Sequence, residues 1–518
     1  MKKKVLIVNG YFDSTRKAAK RPWKVPQAMA PMFLSGAFND EYVDIRVHNE
    51  QALGPVDPAL LSGIDMLVLS GLNSAFDRYL HLTAYAKTQN LNVIVVAGGG
   101  PVRILPELSK RYFDYVCLGD VEQIQDAIKD AWGSQYVCPL MVETGFALPK
   151  YALGNTRSRL KYVETSRNCN FQCDFCSLTG ENNAYMKYSL EYIERQFREQ
   201  PGGDLYAVID NNFYGNSRRH FEQKIALMES IKNDWHKQGK SLSWAALVTS
   251  NFFNEKNLSM VKKAGCDYLF TGIESFNQEF HKNHNKHQNT LNSQVDIIRQ
   301  CLDAGIAMFY GYMLDVVNSS VEDLKDEIDY MLDNHDIPLP SYFSLPIPML
   351  GTPFFYEQLE NDKILPNVRL CDLDDTTLSL RPKSSIEETL KFTRYIEGLS
   401  GDKSRVFMHS VKHTYRRRRS LRLRQHLVAT VPALLLTAQQ SLVKRKGGAA
   451  SQQRTHLAGT DLLHESYKPE MTVDSRYQAY FEPTYLTDAN GDITEDLAPD
   501  LVKEAPIAVG LDRLAIKA

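Results

Sequence analysis

Residues 166–180 read SRNCNFQCDFCSLTG, which places Cys169, Cys173 and Cys176 within eight residues of a chain that holds five other cysteines. A structural zinc normally takes four ligands and a disulfide takes two. Three thiols at spacings of four and three point instead to a metal centre with one position left open. The nearest later cysteine is Cys266 and His220 falls in a helical stretch, and neither stands at a zinc-finger spacing. The loop directly follows a strand-like run, LKYVETS (160–166), so the thiols sit at a strand end.

Around that loop the chain has the composition of a folded protein. It has 518 residues with 43% hydrophobic content, enough for two to four domains with real cores. A net charge of −2 gives no global attraction to nucleic acid or acidic lipid, so no specific nucleic-acid partner is expected and any such affinity must be local. The start, MKKKVLIVNGYFD, is like a signal peptide only over its first eight residues, and the apolar run ends at Asn9 and Gly10. A buried first strand is the better reading. No apolar run reaches the roughly 18 residues of a membrane span. The expected location is a reducing cytoplasm, where clustered cysteines mean metal or catalysis more often than disulfides.

Residues 1–140 alternate short apolar runs with helix-compatible segments: VLIVNG (5–10), YVDIRV (42–47), DMLVLSG (65–71), NVIVVAGGG (92–100) and YVCLGD (115–120). Runs without alternation are buried on both faces, which predicts an α/β, doubly wound parallel sheet with its ligand at the carboxyl ends of the strands. Ser70 and Gly71, the triplet Gly98, Gly99 and Gly100, and Gly119 stand at those ends. Glycine there either lets a ligand approach the backbone or merely makes tight turns. The spacing is not the G-x-G-x-x-G of a dinucleotide site.

VVAGGGPVRILPEL and YVCLGDVE resemble the cobalamin-binding domain that precedes many radical SAM modules. The resemblance implies that Ser70, Gly98, Gly99, Gly100, Gly119 and Glu122 line a cobalamin pocket. One departure is the absence of D-x-H-x-x-G, the motif that supplies a lower axial histidine; the first loop reads NGYFDSTRKAAKRPW. Either cobalamin binds without a protein histidine or the domain survives as a scaffold.

The cysteine loop itself, C-x3-C-x2-C after a strand with Phe175 before the third thiol, is similar to the signature of the radical SAM superfamily. That resemblance implies that Cys169, Cys173 and Cys176 are the catalytic metal ligands, holding three irons of a 4Fe-4S cluster and leaving the fourth iron for S-adenosylmethionine. It also implies a partial (β/α) barrel over residues 155–390. Strand-like runs at 205–216, 241–253, 268–276, 306–315 and 341–355 alternate with amphipathic helices at 219–235 and 319–334, the latter opened by Ser320 and Asp323. TGIES looks like the family's fourth-strand motif, so Glu274 and Ser275 are expected to contact S-adenosylmethionine. Asp210, Asn211, Asn212 and Tyr312 are candidates for the same pocket, although a polar strand end also serves as a helix cap. LPIPMLGTPFFYEQLENDKIL resembles the end of cobalamin-type barrels.

HKNHNKH offers His281, His284 and His287, but helical spacing sets the first and third about 120° apart, so a solvated helix or turn is expected. Residues 391–446 form a helical, basic extension. In 413–446, Arg416 to Arg419, Arg422 and Arg424 adjoin Leu423, Leu427, Val431 and Leu434. This pattern suits a helix packed on the barrel with its arginines in water, or a peripheral membrane contact. Residues 447–518 read as a partly flexible acidic tail that covers the basic block or is disordered, with twelve Asp and Glu against five Lys and Arg over 459–518.

The resemblance implies a radical enzyme that takes a hydrogen from an unactivated carbon and, with cobalamin, transfers a methyl group to it. A cyclase, dehydrogenase or rearrangement enzyme is the alternative, and a non-catalytic cofactor sensor is a third. The expected substrate is a small molecule, lipid or secondary metabolite, and the electron donor an external flavodoxin or ferredoxin.

Overall fold

The computed structural model describes residues 2–12, 25–154, 160–200, 205–397, 403–429, 456–460, 465–502 and 516–517. They divide into two compact units: residues 1–158 with 349–374 and 458–518, and residues 159–348 with 375–457.

The first unit is built on β1 (Lys3–Asn9), β2 (Val43–Asn49), β3 (Met66–Ser70), β4 (Ile94–Gly98) and β5 (Tyr115–Cys117), all parallel in the order β5-β4-β3-β1-β2. Ile516–Lys517 pairs antiparallel with β5. The continuous apolar runs Val5–Val8 and Met66–Leu69 are buried because both faces of the central strands are covered. The run at 42–47 departs from that expectation. On the edge strand β2, Val43 and Ile45 are buried while Asp44 and Arg46 are exposed, as one-sided cover requires. The strand order reverses between β1 and β3, the point at whose carboxyl ends doubly wound sheets bind their ligands.

The helix Phe76–Gln89 is buried on all sides from Phe76 to Ala86. Its outer face is covered by the end of the chain. Phe481 stacks on His81 at 4.5 Å, the Tyr467 hydroxyl donates to Asp77 at 2.5 Å, and the Glu470 amide donates to the Tyr85 hydroxyl at 2.8 Å. This corrects the expected acidic tail: residues 465–502 fold onto the first unit because Tyr467 and Phe481 carry enough aromatic area to dock. Residues 447–455 lie outside the described residues. Residues 349–374 also join this unit, through pairs such as the Leu370 amide with the Thr484 carbonyl at 3.0 Å. The expected boundaries of 155–390 and 447–518 therefore differ from the observed ones, since long-range packing returns two later segments to the first sheet.

In the second unit, β6 (Leu160–Val163) is followed by two short strands, β7 (Ser166–Arg167) and β8 (Met186–Lys187). Then come β9 (Leu205–Val208), β10 (Trp244–Leu247), β11 (Cys266–Glu274), β12 (Ala307–Met313) and β13 (Tyr342–Ser344). The parallel sheet runs β6-β9-β10-β11-β12-β13 in chain order, the arrangement of a partial (β/α) barrel. Crossover helices start on side-chain caps: Ser189, Ser217 and Asn254 each accept a backbone N–H, and Ser320 with Asp323 closes a full capping box.

The basic extension begins as the helices Lys403–Arg417 and Leu423–Ala429. The first lies on the barrel's outer helices. Arg405 pairs with Asp329 and Asp333, Arg416 with Asp336, and Arg417 with Asp303, while His409 bonds the carbonyls of Leu332 and Ile337 at 3.1 Å each. Residues 430–446 of the basic segment lie outside the described residues. Among the described residues no helix is long and apolar enough to cross a membrane.

Candidate active site

The cysteine loop leaves the end of β6 and is anchored by buried ionic groups. The Asp210 carboxylate, beyond the end of β9, accepts from the Thr165 amide at 2.7 Å and the Ser166 hydroxyl at 2.6 Å. Lys224 donates to Thr165 at 2.9 Å and lies 3.6 Å from Asp210; burial pulls its ammonium down to about 8. Asp210 was expected beside a cofactor, but the structure commits its oxygens to the loop's root. Asn211 is exposed. Asn212, fully buried, donates to Asn170 at 2.8 Å and accepts from Thr249 at 3.2 Å, tying the loop to the end of β10.

Cys169, Cys173 and Cys176 are free thiols close enough to act on one another electrostatically. Burial raises all three, Cys176 up to about 11, and the nearby Lys286 ammonium opposes the shift. Such thiols keep their protons until a metal replaces them. Among the described residues no three His, Cys, Asp or Glu groups converge on a single ion. An iron-sulfur cluster needs no such convergence, because each thiolate binds a different iron. The donor set of soft, uncharged, mutually adjacent thiols fits that group.

Glu274 ends β11 in a left-handed conformation, φ 61°, and pairs with Lys286 at 2.7 Å. Gly272 makes room for this pair: a Cβ there would lie 2.1 Å from Glu274 Oε1 and 2.8 Å from Lys286 Nζ. Lys286 also sits 5.5 Å from the ring centre of Phe175. Glu274, Lys286, Phe175 and the three thiols thus share one site. Ser275 is buried, with its carbonyl bonded to His281 at 2.9 Å. Tyr312 is fully buried on β12 and its hydroxyl donates to Glu327, so its side chain is already engaged.

The residues around HKNHNKH overturn the expected solvated turn. The helix covers only Gln278–Asn283, after which the chain folds back onto the cysteine loop. His284 bonds Asp174 at 3.2 Å, Asn285 donates to the Gln172 carbonyl at 2.9 Å, and Asn289 donates to the carbonyls of Gly272 and Ile273 at 2.9 and 3.2 Å. Gln288, buried, donates to the Cys173 sulfur at 3.3 Å. The histidines do not act together: His281 is buried and drawn down to about 4 by burial, whereas His287 is exposed. Sequence reading missed Lys286, Gln288 and Asn289, and the one available signal was a dense polar run following TGIES.

In the first unit, the carboxyl ends of β1, β3 and β4 meet around Tyr79. A Cβ on Gly71 would lie 2.9 Å from the Gly10 carbonyl and 3.1 Å from the Tyr79 hydroxyl; on Gly99, at φ 95°, it would lie 3.1 Å from the Gly71 carbonyl. Packing of the loops on one another alone requires glycine at 71 and 99. The Tyr79 hydroxyl donates to the Gly98 carbonyl at 3.4 Å, and Gly100 opens a short helix, Gly100–Ile104. Ser70 is buried, while its neighbour Leu72 is 75% exposed. The Gly119 amide donates to Gln123 at 2.5 Å, and Glu122 accepts from the Ala147 amide at 3.4 Å.

The family model of the radical SAM superfamily matches residues 163–328. That span contains the cysteine loop, the Glu274–Lys286 pair and most of the parallel sheet, and it is a radical SAM domain, the class built on a 4Fe-4S cluster and S-adenosylmethionine.

Curated relatives include the bacteriochlorophyllide d C-8(2)-methyltransferase of Chlorobaculum tepidum, 22% identical over 52% of this chain and 63% of that protein. An uncharacterized methyltransferase of Pyrococcus horikoshii is 22% identical over 64% of this chain and 75% of its own length. The match thus spans less than two thirds of the first of these relatives. Among solved structures, the cobalamin-dependent S-adenosylmethionine radical enzyme OxsB, with aqua-cobalamin and S-adenosylmethionine bound, covers 93% of this chain and 79% of its own at 13% identity, TM-score 0.55. The radical S-adenosylmethionine methyltransferase TsrM from Kitasatospora setae covers 71% of this chain and 78% of its own at 14% identity, TM-score 0.53. At these identities the likeness is one of fold: a doubly wound sheet ahead of a radical SAM barrel.

Proposed function

We propose that the chain is a cobalamin-dependent radical SAM methyltransferase acting on an unactivated carbon of a small, largely apolar molecule such as a lipid, pigment or secondary metabolite. The observation that carries this reading is the site itself: three free, adjacent thiols beside the Glu274–Lys286 pair at the carboxyl end of a parallel sheet. When bound, the cluster supplies the electron that cleaves S-adenosylmethionine, and cobalamin supplies the methyl group to be transferred.

Within that reading, Cys169, Cys173 and Cys176 hold the cluster. Glu274 and Lys286 offer one acceptor and one donor to the amino-acid end of S-adenosylmethionine, and Ser275 lies beside them. The segment 281–289 holds the thiols in place and limits water around them. The methyltransferase functions of the relatives support methyl transfer, and the reversal of strand order between β1 and β3, where doubly wound sheets bind ligands, supports a cofactor in the first unit. An external flavodoxin or ferredoxin supplies electrons. The second reading, radical cyclisation, dehydrogenation or rearrangement without cobalamin, is favoured by one observation: Gly71 and Gly99 are accounted for by their own loops.

Anaerobic reconstitution tests the first step. The wild type should form 5′-deoxyadenosine or a methyl-transfer product from S-adenosylmethionine with a chemical reductant, and Cys173→Ala should lose both cluster and turnover. A Cys173→Ala protein that keeps a 4Fe-4S spectrum and turnover would refute the assignment.

A further inference from the structure

The helix Lys403–Arg417 has a mostly polar buried face and an apolar exposed one. Val406, His409, Ser410 and His413 are buried on the barrel side. On the other side Phe407 (51% exposed), Met408 (46%), Val411 (44%) and Tyr415 (64%) stand open. At about 100° per residue these four fall within one arc of roughly 100°. The following helix adds Leu423, Leu427 and Val428, all exposed. Seven large apolar side chains exposed on two consecutive helices exceed the scatter of single surface hydrophobics.

Their charge setting is one-signed. Residues 403–460 contain thirteen Lys and Arg and no Asp or Glu. Arg405, Arg416 and Arg417 are used in ion pairs that fasten the helix to the barrel. Arg418 and Arg419 are exposed and have no carboxylate partner among the described residues, and Arg418 lies 3.8 Å from the ring centre of Tyr415. A nucleic acid would meet the cations with phosphates and could stack bases on Phe407 and Tyr415, but it gives Met408, Val411, Leu423 and Leu427 nothing to bury in. A bilayer with anionic headgroups takes both kinds of side chain at once.

We propose that Phe407, Met408, Val411, Tyr415, Leu423 and Leu427, with Arg418 and Arg419, form a docking surface for an anionic lipid bilayer. The apolar side chains enter the headgroup layer and the arginines meet lipid phosphates. This surface is independent of the reaction the barrel performs.

The test is flotation of the full chain, anaerobically loaded with iron and sulfide, with vesicles of phosphatidylcholine alone or of phosphatidylcholine with phosphatidylglycerol. The expected result is partition onto the anionic vesicles only, reduced by high salt. Arg418→Ala with Arg419→Ala should weaken it about thirtyfold, from ~1 kcal/mol per cation near an anionic surface. Phe407→Ser with Val411→Ser should weaken it at both low and high salt. Far-ultraviolet circular dichroism and cluster content serve as controls, because all four residues are exposed. Equal binding to neutral vesicles, no binding to either, or variants that bind as the wild type does would each overturn the proposal. So would binding to soluble polyglutamate in place of vesicles, which would assign the surface to an acidic polypeptide.

Discussion

Gln288 is the residue with the most specific consequence. Its amide donates to the Cys173 sulfur at 3.3 Å, and hydrogen bonds to cluster sulfurs raise the reduction potential by stabilising the more negative, reduced state. Gln288→Leu should therefore keep the cluster but lower its potential by roughly 40 mV, the equivalent of about 1 kcal/mol for one electron. Redox titration monitored by electron paramagnetic resonance reads this directly, and an unchanged potential would remove Gln288 from the site's electrostatics. Gly272 makes a second prediction. Because a Cβ at 272 would overlap the Glu274–Lys286 pair, Gly272→Ala should retain iron but weaken S-adenosylmethionine binding tenfold or more, on the order of one displaced charged hydrogen bond. Equilibrium binding to the oxidised protein would show it, and wild-type affinity would mean that the pair does not meet the ligand. The thiols and Glu274 were legible as neighbours because the motif spacing is local. Lys286 and Gln288 were not, since their partners are set by a turn whose direction no periodicity encodes.

At the scale of elements, the contact between the helix Phe76–Gln89 and the chain's last part carries a pH signature. Burial pushes the Asp77 carboxyl up to about 6, although Thr484 and Tyr467 donate to it. A raised carboxyl lends stability that is complete below its unfolded value near 4 and is lost as pH rises through 6. The wild type should thus lose about 2 kcal/mol of relative stability between pH 4 and pH 7 against Asp77→Asn, since most of a shift of roughly two pKa units at ~1.4 kcal/mol each falls in that range. Denaturant titrations of both proteins across that range give the comparison, and parallel pH profiles would contradict the assignment. The sequence placed the starts of the strands to within a few residues, although the runs at 205–216, 241–253 and 341–355 extend well past their strands, and it placed the Ser320–Asp323 cap, because apolar runs and capping are local patterns. It did not place Tyr467 and Phe481 on this helix. Isolated aromatics in an acidic segment carry no period, and their docking depends on a surface nearly 400 residues away in sequence.

For the whole molecule, the proposed function places a cofactor site in each of the two α/β units, and the two are of unequal legibility. The barrel's metal site is drawn by three thiols that have no other role. The first unit's site is inferred from its strand order alone, because its glycines are accounted for by the packing around Tyr79. The most direct measurement is therefore metal analysis with ultraviolet-visible spectroscopy on protein purified anaerobically with cobalamin supplied. The expected result is cobalt near one per chain together with about four irons, and passage of an isotopic methyl label from S-adenosylmethionine to the bound cobalamin. Iron without cobalt after full loading would contradict the methyltransferase reading and leave the doubly wound unit as a scaffold for cobalamin-free radical chemistry.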